Sequence, residues 1–149
     1  MTLTTKNDVD IKLKTTITQD NESETFTFDT VGELIVKNQT IFLRYTELID
    51  GQNPTNVLFK IEKEHVRLNR SGDSLTKLAF AHEKRLPAHY ETTIGQMNLE
   101  THTTAMRVNM APTAYSGTVD IDYELYANDI IAGEYRIRLQ FNQISSKLN

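Results

Sequence analysis

The chain has 149 residues, a formal net charge of −4, and neither cysteine nor tryptophan. That length suits one domain, expected over residues 1–149, and is enough to bury a core without staples. The missing cysteines exclude disulfides, thiolate metal sites and cysteine nucleophiles. The acidic balance argues against nucleic acid as a partner, because such proteins carry a basic face.

Period-two alternation runs from end to end, and it places alternate side chains on opposite faces of a strand. Val9, Ile11 and Leu13 share one face of the first strand, with Asp10, Lys12 and Lys14 on the other. Phe26 and Phe28 mark a second, followed by Gly32 and the continuous run Leu34-Ile35-Val36. Residues 40–47 form a third, rich in β-branched and aromatic residues. Asp50-Gly51-Gln52-Asn53-Pro54 is a turn.

Residues 57–62 and 65–70 read as strands split by Lys63-Glu64, and Ser71-Gly72-Asp73 is the next turn. Leu75 to Leu86 reads as a strand followed by a loop closed at Pro87. A strand from His89 to Ile94 ends at Gly95, where a bulge or bend is expected. Residues 97–100 and 103–109 read as two separate strands, and Ala111-Pro112-Thr113 breaks the run.

The last hairpin is the clearest feature. Residues 117–125 alternate without a fault, and residues 134–141 answer them across a turn at 128–133. Asp120, Asp122 and Glu124 are expected to face Arg136 and Arg138, since opposite charges favour antiparallel pairing. About eight to ten short strands with turns between them, and no helix long enough to cover a sheet, predict an all-β fold. The expectation is a closed or nearly closed antiparallel β-barrel.

Several of these pieces, taken in order, resemble the YwiB-like family of small bacterial proteins. They are Leu43-Arg44-Tyr45-Thr46-Glu47, Asn69-Arg70-Ser71-Gly72, Tyr90-Glu91-Thr92-Thr93-Ile94-Gly95, and the strand from Gly117 to Leu125. The resemblance covers nearly the whole chain. It implies a lipocalin-like (calycin-like) barrel in a bacterial cytosol, and it brings no activity with it.

Function is much less legible than fold. The first thirty residues hold no apolar segment of the signal-peptide kind, and no uncharged apolar run approaches the ~18 residues of a membrane helix. A cytoplasmic protein with no membrane partner is therefore expected. The sequons at Asn21, Asn38 and Asn69 are then accidents of a Thr- and Asn-rich chain. His65, His82, His89 and His102 show no metal-ligand spacing, Ser71 is not in a nucleophile elbow, and the six glycines form no phosphate loop. No cofactor and no enzymatic activity are expected.

Strand parity gives one constellation. If the apolar faces point inward, Tyr45, Glu47, Arg70, Tyr90, Thr92 and Tyr123 point inward too, near strand ends. They would gather at one mouth of the barrel. One reading is a site for a small, partly apolar or acidic ligand, with Arg70 forking onto an acidic head group. The other is a filled barrel acting as a structural or interaction module, with Glu47 and Arg70 paired to each other. Monomer and homodimer both remain open.

Overall fold

The computed structural model describes residues 4–111 and 115–144; Pro112 and Thr113 of the expected break lie outside them. Ten strands appear among the described residues: β1 (Thr4–Gln19), β2 (Glu22–Lys37), β3 (Thr40–Glu47), β4 (Thr55–Ile61), β5 (Val66–Ser71), β6 (Leu75–Phe80), β7 (Arg85–Thr92), β8 (Gly95–Ala111), β9 (Ser116–Ala127) and β10 (Ile130–Gln143). They close into an antiparallel barrel in the order β1-β10-β9-β8-β7-β6-β5-β4-β3-β2. No helix among these residues is long and apolar enough to cross a membrane.

Local sequence sets the corners. Asp20-Asn21 joins β1 to β2 and Asn128-Asp129 joins β9 to β10, all four residues with positive φ. Paired positive φ in a two-residue loop matches the right-handed twist of the flanking strands, and Asn and Asp tolerate it best. The turn expected over 128–133 is thus tighter. β10 starts at Ile130, and Ala132 is an unpaired bulge between Ile131 and Gly133.

Other boundaries differ for physical reasons. The two strands expected at 97–100 and 103–109 are one strand, β8, with a bulge between Thr103 and Ala105. One extra residue flips the side chains that follow. Thr101 and Thr103 are buried before the bulge, whereas Met106, Val108 and Met110 are the half-buried set after it.

Pro87 does not close a loop. It lies inside β7, opposite Glu100 of β8. On its other side the β6–β7 ladder runs only from Leu75/Glu91 to Lys77/His89, and continuing that register sets Ala79 opposite Pro87. Proline has no N–H to donate there. Instead the buried Thr101 hydroxyl donates to the Ala79 carbonyl at 2.6 Å. Replacing Thr101 by valine should therefore cost about 1–2 kcal/mol, because a carbonyl is left without a donor. Urea unfolding of Thr101→Val checks this; an unchanged midpoint would mean that water satisfies the carbonyl.

One end of the barrel is packed with buried apolar side chains. Ile41 pairs with Ile61, Ile61 with Val66, and Val66 with Phe80, so an arc of buried side chains across β3–β6 lines that end. Val9, Leu34 and Phe141 are fully buried in the same core. The outside of the terminal hairpin is charged as the alternation predicts. Asp122 takes Arg138 at 3.0 Å and Arg136 at 3.4 Å, and Arg138 also reaches Asp120 at 3.7 Å. Glu124 departs from that pattern. Its partner in register on β10 is Glu134, and its carboxylate turns instead to His102 Nδ1 at 2.9 Å and the Tyr126 hydroxyl at 3.0 Å.

Two surface carboxylates are held below the ordinary carboxylate range. Glu33 is lowered by hydrogen bonds from Lys6 and Arg44, and Glu124 by those from His102 and Tyr126. A carboxylate whose folded pKa is depressed stabilises the fold above its unfolded value, and loses that contribution as pH falls through the folded value. The urea midpoint of the protein should drop as the solution is acidified below about pH 4.5. Glu124→Gln should show a shallower drop over that window; an identical slope would remove Glu124 from the account.

Candidate ligand cavity in the barrel

Eight strands give an interior that side chains can fill, and the diameter grows with strand number. A ten-stranded wall leaves room. The half of the barrel away from the packed end holds a cavity of about 330 Å³. Leu13 and Ile17 of β1, Phe28 of β2, Phe59 of β4, Leu68 of β5, Leu78 of β6 and Ile137 of β10 form its apolar walls. Its polar members are Thr15, Tyr45, Glu47, Arg70, Tyr123 and Tyr135.

A gap in the wall opens this cavity. The β2–β3 ladder covers only Glu33–Lys37 against Thr40–Arg44, so the earlier part of β2 runs free of β3. Gly32 stands where the two strands part. A Cβ there would meet the Arg44 carbonyl, the Ile11 side chain and Tyr45 Cβ. Only glycine lets β2 pass so close before diverging. Phe26 and Phe28 of the free part of β2 line the cavity together with Tyr45, Glu47 and Ile49. Phe26 and Ile49 are 48% and 43% exposed, which places them at the rim.

Glu47 is the buried anion of the site, with its side chain 1% exposed. Its Oε1 accepts from Arg70 Nη2 at 2.5 Å, and its Oε2 from Arg70 Nη1 at 3.0 Å and from the Tyr45 hydroxyl at 3.3 Å. This is a two-pronged pair, the geometry for which the planar guanidinium is suited. Burial raises the Tyr45 hydroxyl above its ordinary range, and the nearby Glu47 charge adds to this. Tyr45 therefore stays a proton donor. The pair leaves the site electrically neutral.

Tyr123 is also buried. Its ring stacks on Tyr135, with centroids 4.9 Å apart and planes 8° apart, and tilts against Phe80 at 4.7 Å. Burial pushes the hydroxyls of both Tyr123 and Tyr135 up. Both hydroxyls therefore stay protonated and able to donate hydrogen bonds. No group of three or more potential metal-ligating side chains occurs among the described residues.

Four of the six residues singled out by parity line the cavity together: Tyr45, Glu47, Arg70 and Tyr123. Tyr90 and Thr92 do not. Tyr90 pairs with Thr76, which pairs with Arg70, so it continues the Arg70 row two strands round the wall. Strands tilt in a barrel, and a row followed round it changes height, which takes Tyr90 away from the cavity. Thr92 ends β7 at the turn into β8, where its hydroxyl accepts from Ile94 N at 3.3 Å and donates to the Gly95 carbonyl at 3.4 Å. Ile94, on the same parity, is 96% exposed at that turn.

Sequence reasoning passed over Tyr135, Phe59 and the two β2 phenylalanines as cavity residues. The signal for Tyr135 was present, since it sits opposite Tyr123 in the one hairpin whose register was clear.

Residues 11–139 match a family described as Domain of unknown function (DUF1934). The chain belongs to that family. The "Uncharacterized beta-barrel protein YwiB" of Bacillus subtilis is 24% identical over 121 residues, covering 81% of this chain and 83% of that protein. The crystal structure of the ywiB protein from Bacillus subtilis superposes with a TM-score of 0.81 at 20% identity, covering 94% of each chain. At that identity the likeness establishes the shared barrel alone.

Proposed function

We propose that this barrel is a binding protein, not an enzyme, and that it holds one small, mainly apolar molecule in the cavity behind the β2–β3 gap. The observation that carries this reading is the cavity itself. About 330 Å³ of space stands among Leu13, Phe28, Phe59, Leu68 and Ile137, with a few polar groups grouped at one side. Binding sites for small molecules start near 300 Å³, are mostly apolar, and carry a small number of placed polar groups. The same space counts against a filled barrel serving only as a structural or interaction module. The Arg70 fork is already occupied by Glu47, which weakens the case for an acidic head group.

N-phenyl-1-naphthylamine, a neutral apolar fluorophore, tests the reading. The native protein should bind it saturably, one molecule per chain, with a rise in emission. Leu68→Trp, which pushes bulk into the cavity, should weaken binding by tenfold or more while the far-UV spectrum stays that of the native barrel. Unsaturable binding, or equal binding by the filled variant, would contradict a cavity site.

A further inference from the structure

The unpaired polar groups of the cavity define the chemistry of its occupant. We propose, resting on the binding function above, that the bound molecule is neutral and presents a carbonyl acceptor, that of a ketone, ester or amide, to the Tyr123 hydroxyl in the cavity that Arg70 also lines.

Tyr123 is 5% exposed and lines the cavity, and no side-chain hydrogen bond among the described residues involves its hydroxyl. It is not sealed in protein either: among the described residues the one fully buried side-chain polar atom lacking a partner is the Thr103 hydroxyl, so the Tyr123 oxygen keeps some accessible surface, and Tyr123 lines the cavity. Stacking on Tyr135 and tilting against Phe80 fix the ring, so the hydroxyl cannot swing out to solvent. Water in the cavity can take that hydroxyl in the free protein, and a ligand that displaces the water must offer an acceptor in its place or leave the donor unpaired at a cost.

The groups around it set the sign of the partner. Arg70 uses one N–H of each terminal nitrogen on Glu47, and its remaining N–H groups can only donate. Glu47 already accepts three hydrogen bonds. Tyr123 and Arg70 line the same cavity, and an acceptor is the function that either can bind by donating.

Charge then selects among acceptors. Glu47 and Arg70 cancel, so a neutral ligand keeps the buried site neutral. A carboxylate ligand has two options, both unfavourable. It adds a second anion beside a fully buried one, or it displaces Glu47 from Arg70 and leaves Glu47 buried without a partner.

Three naphthalenes of one shape make the test: 2-acetylnaphthalene with a carbonyl, 2-ethylnaphthalene with no acceptor, and 2-naphthoate with an anion. Their affinities for the native protein are compared with those for Tyr123→Phe, which removes only the oxygen. The ketone should bind native protein about tenfold more tightly than the ethyl compound, the worth of one well-formed hydrogen bond. The naphthoate should be the weakest of the three. Tyr123→Phe should erase the advantage of the ketone and leave the ethyl compound unchanged. If the three bind alike, or the naphthoate binds best, or the phenylalanine variant keeps the ketone preference, the ligand class is wrong and the cavity reading stands. If none of the three binds, the cavity reading itself falls and takes this one with it.

Discussion

Arg70→Ala should lose about 3–5 kcal/mol of stability, the usual cost of removing one member of a buried ion pair. The asymmetry of the pair makes the loss large. Glu47 is almost wholly buried, while the Arg70 side chain is 35% exposed. Removing the arginine leaves a carboxylate inside the barrel with only the Tyr45 hydroxyl for company. Removing both charges is a different experiment. In Glu47→Gln/Arg70→Met no charge is stranded, and the double variant should recover most of the loss. In a domain of this size the single substitution should lower Tm by on the order of 10 °C. Urea unfolding of the three proteins checks the cycle. Equal losses in Arg70→Ala and in the double variant would mean that the pair matters for packing and not for charge compensation.

Phe59→Ala is the second large effect expected, at about 3–5 kcal/mol, since it removes a fully buried ring. Phe59 is 0% exposed and stands at the boundary between the packed end of the barrel and the cavity. The space it vacates joins space already present, so the walls have nothing to relax onto. The same change enlarges the site. Saturating N-phenyl-1-naphthylamine should then raise the unfolding midpoint of Phe59→Ala more than that of the native protein, because a ligand that binds only the folded state stabilises it by mass action. A destabilised variant that gains nothing from the probe would separate Phe59 from the cavity.

The barrel was legible because alternation survives wherever one face is buried. Val9, Ile11 and Leu13, or Val119, Ile121 and Tyr123, announce their own orientation, and Glu47 and Arg70 inherit theirs by counting from them. Where a strand carries little burial, the signal fades. β1 runs on through Thr15-Thr16-Ile17-Thr18, and β2 begins at Glu22, because their ends are held by each other and by β10 and not by a core.

Parity also fails at an inserted residue. Thr104 breaks the count in β8, so the alternation on its two sides is out of step, and the single strand reads as two with a break at 101–102. Proline misled for a related reason. Pro87 is tolerated within β7 because the β6 ladder ends before reaching it and a hydroxyl from β8 takes the carbonyl opposite.

The candidate site divides along the same line. Which residues face inward follows from a single strand, so Tyr45, Glu47, Arg70 and Tyr123 could be named from the sequence. Which of them meet depends on the tilt of the strands and on where ladders stop, and neither is written in any one strand. Tyr90 and Thr92 were therefore grouped with residues they do not join. The β2–β3 gap was invisible for the same reason, although Gly32 marks the point at which it opens.

The hollow interior is the claim on which the rest stands, and xenon tests it without any assumption about a ligand. An apolar cavity of this kind takes up xenon under pressure. Diffraction from pressurised crystals should show xenon density among Leu13, Phe28, Phe59, Leu68 and Ile137. Crystals in which those side chains meet across the barrel, with no xenon between them, would contradict a hollow interior.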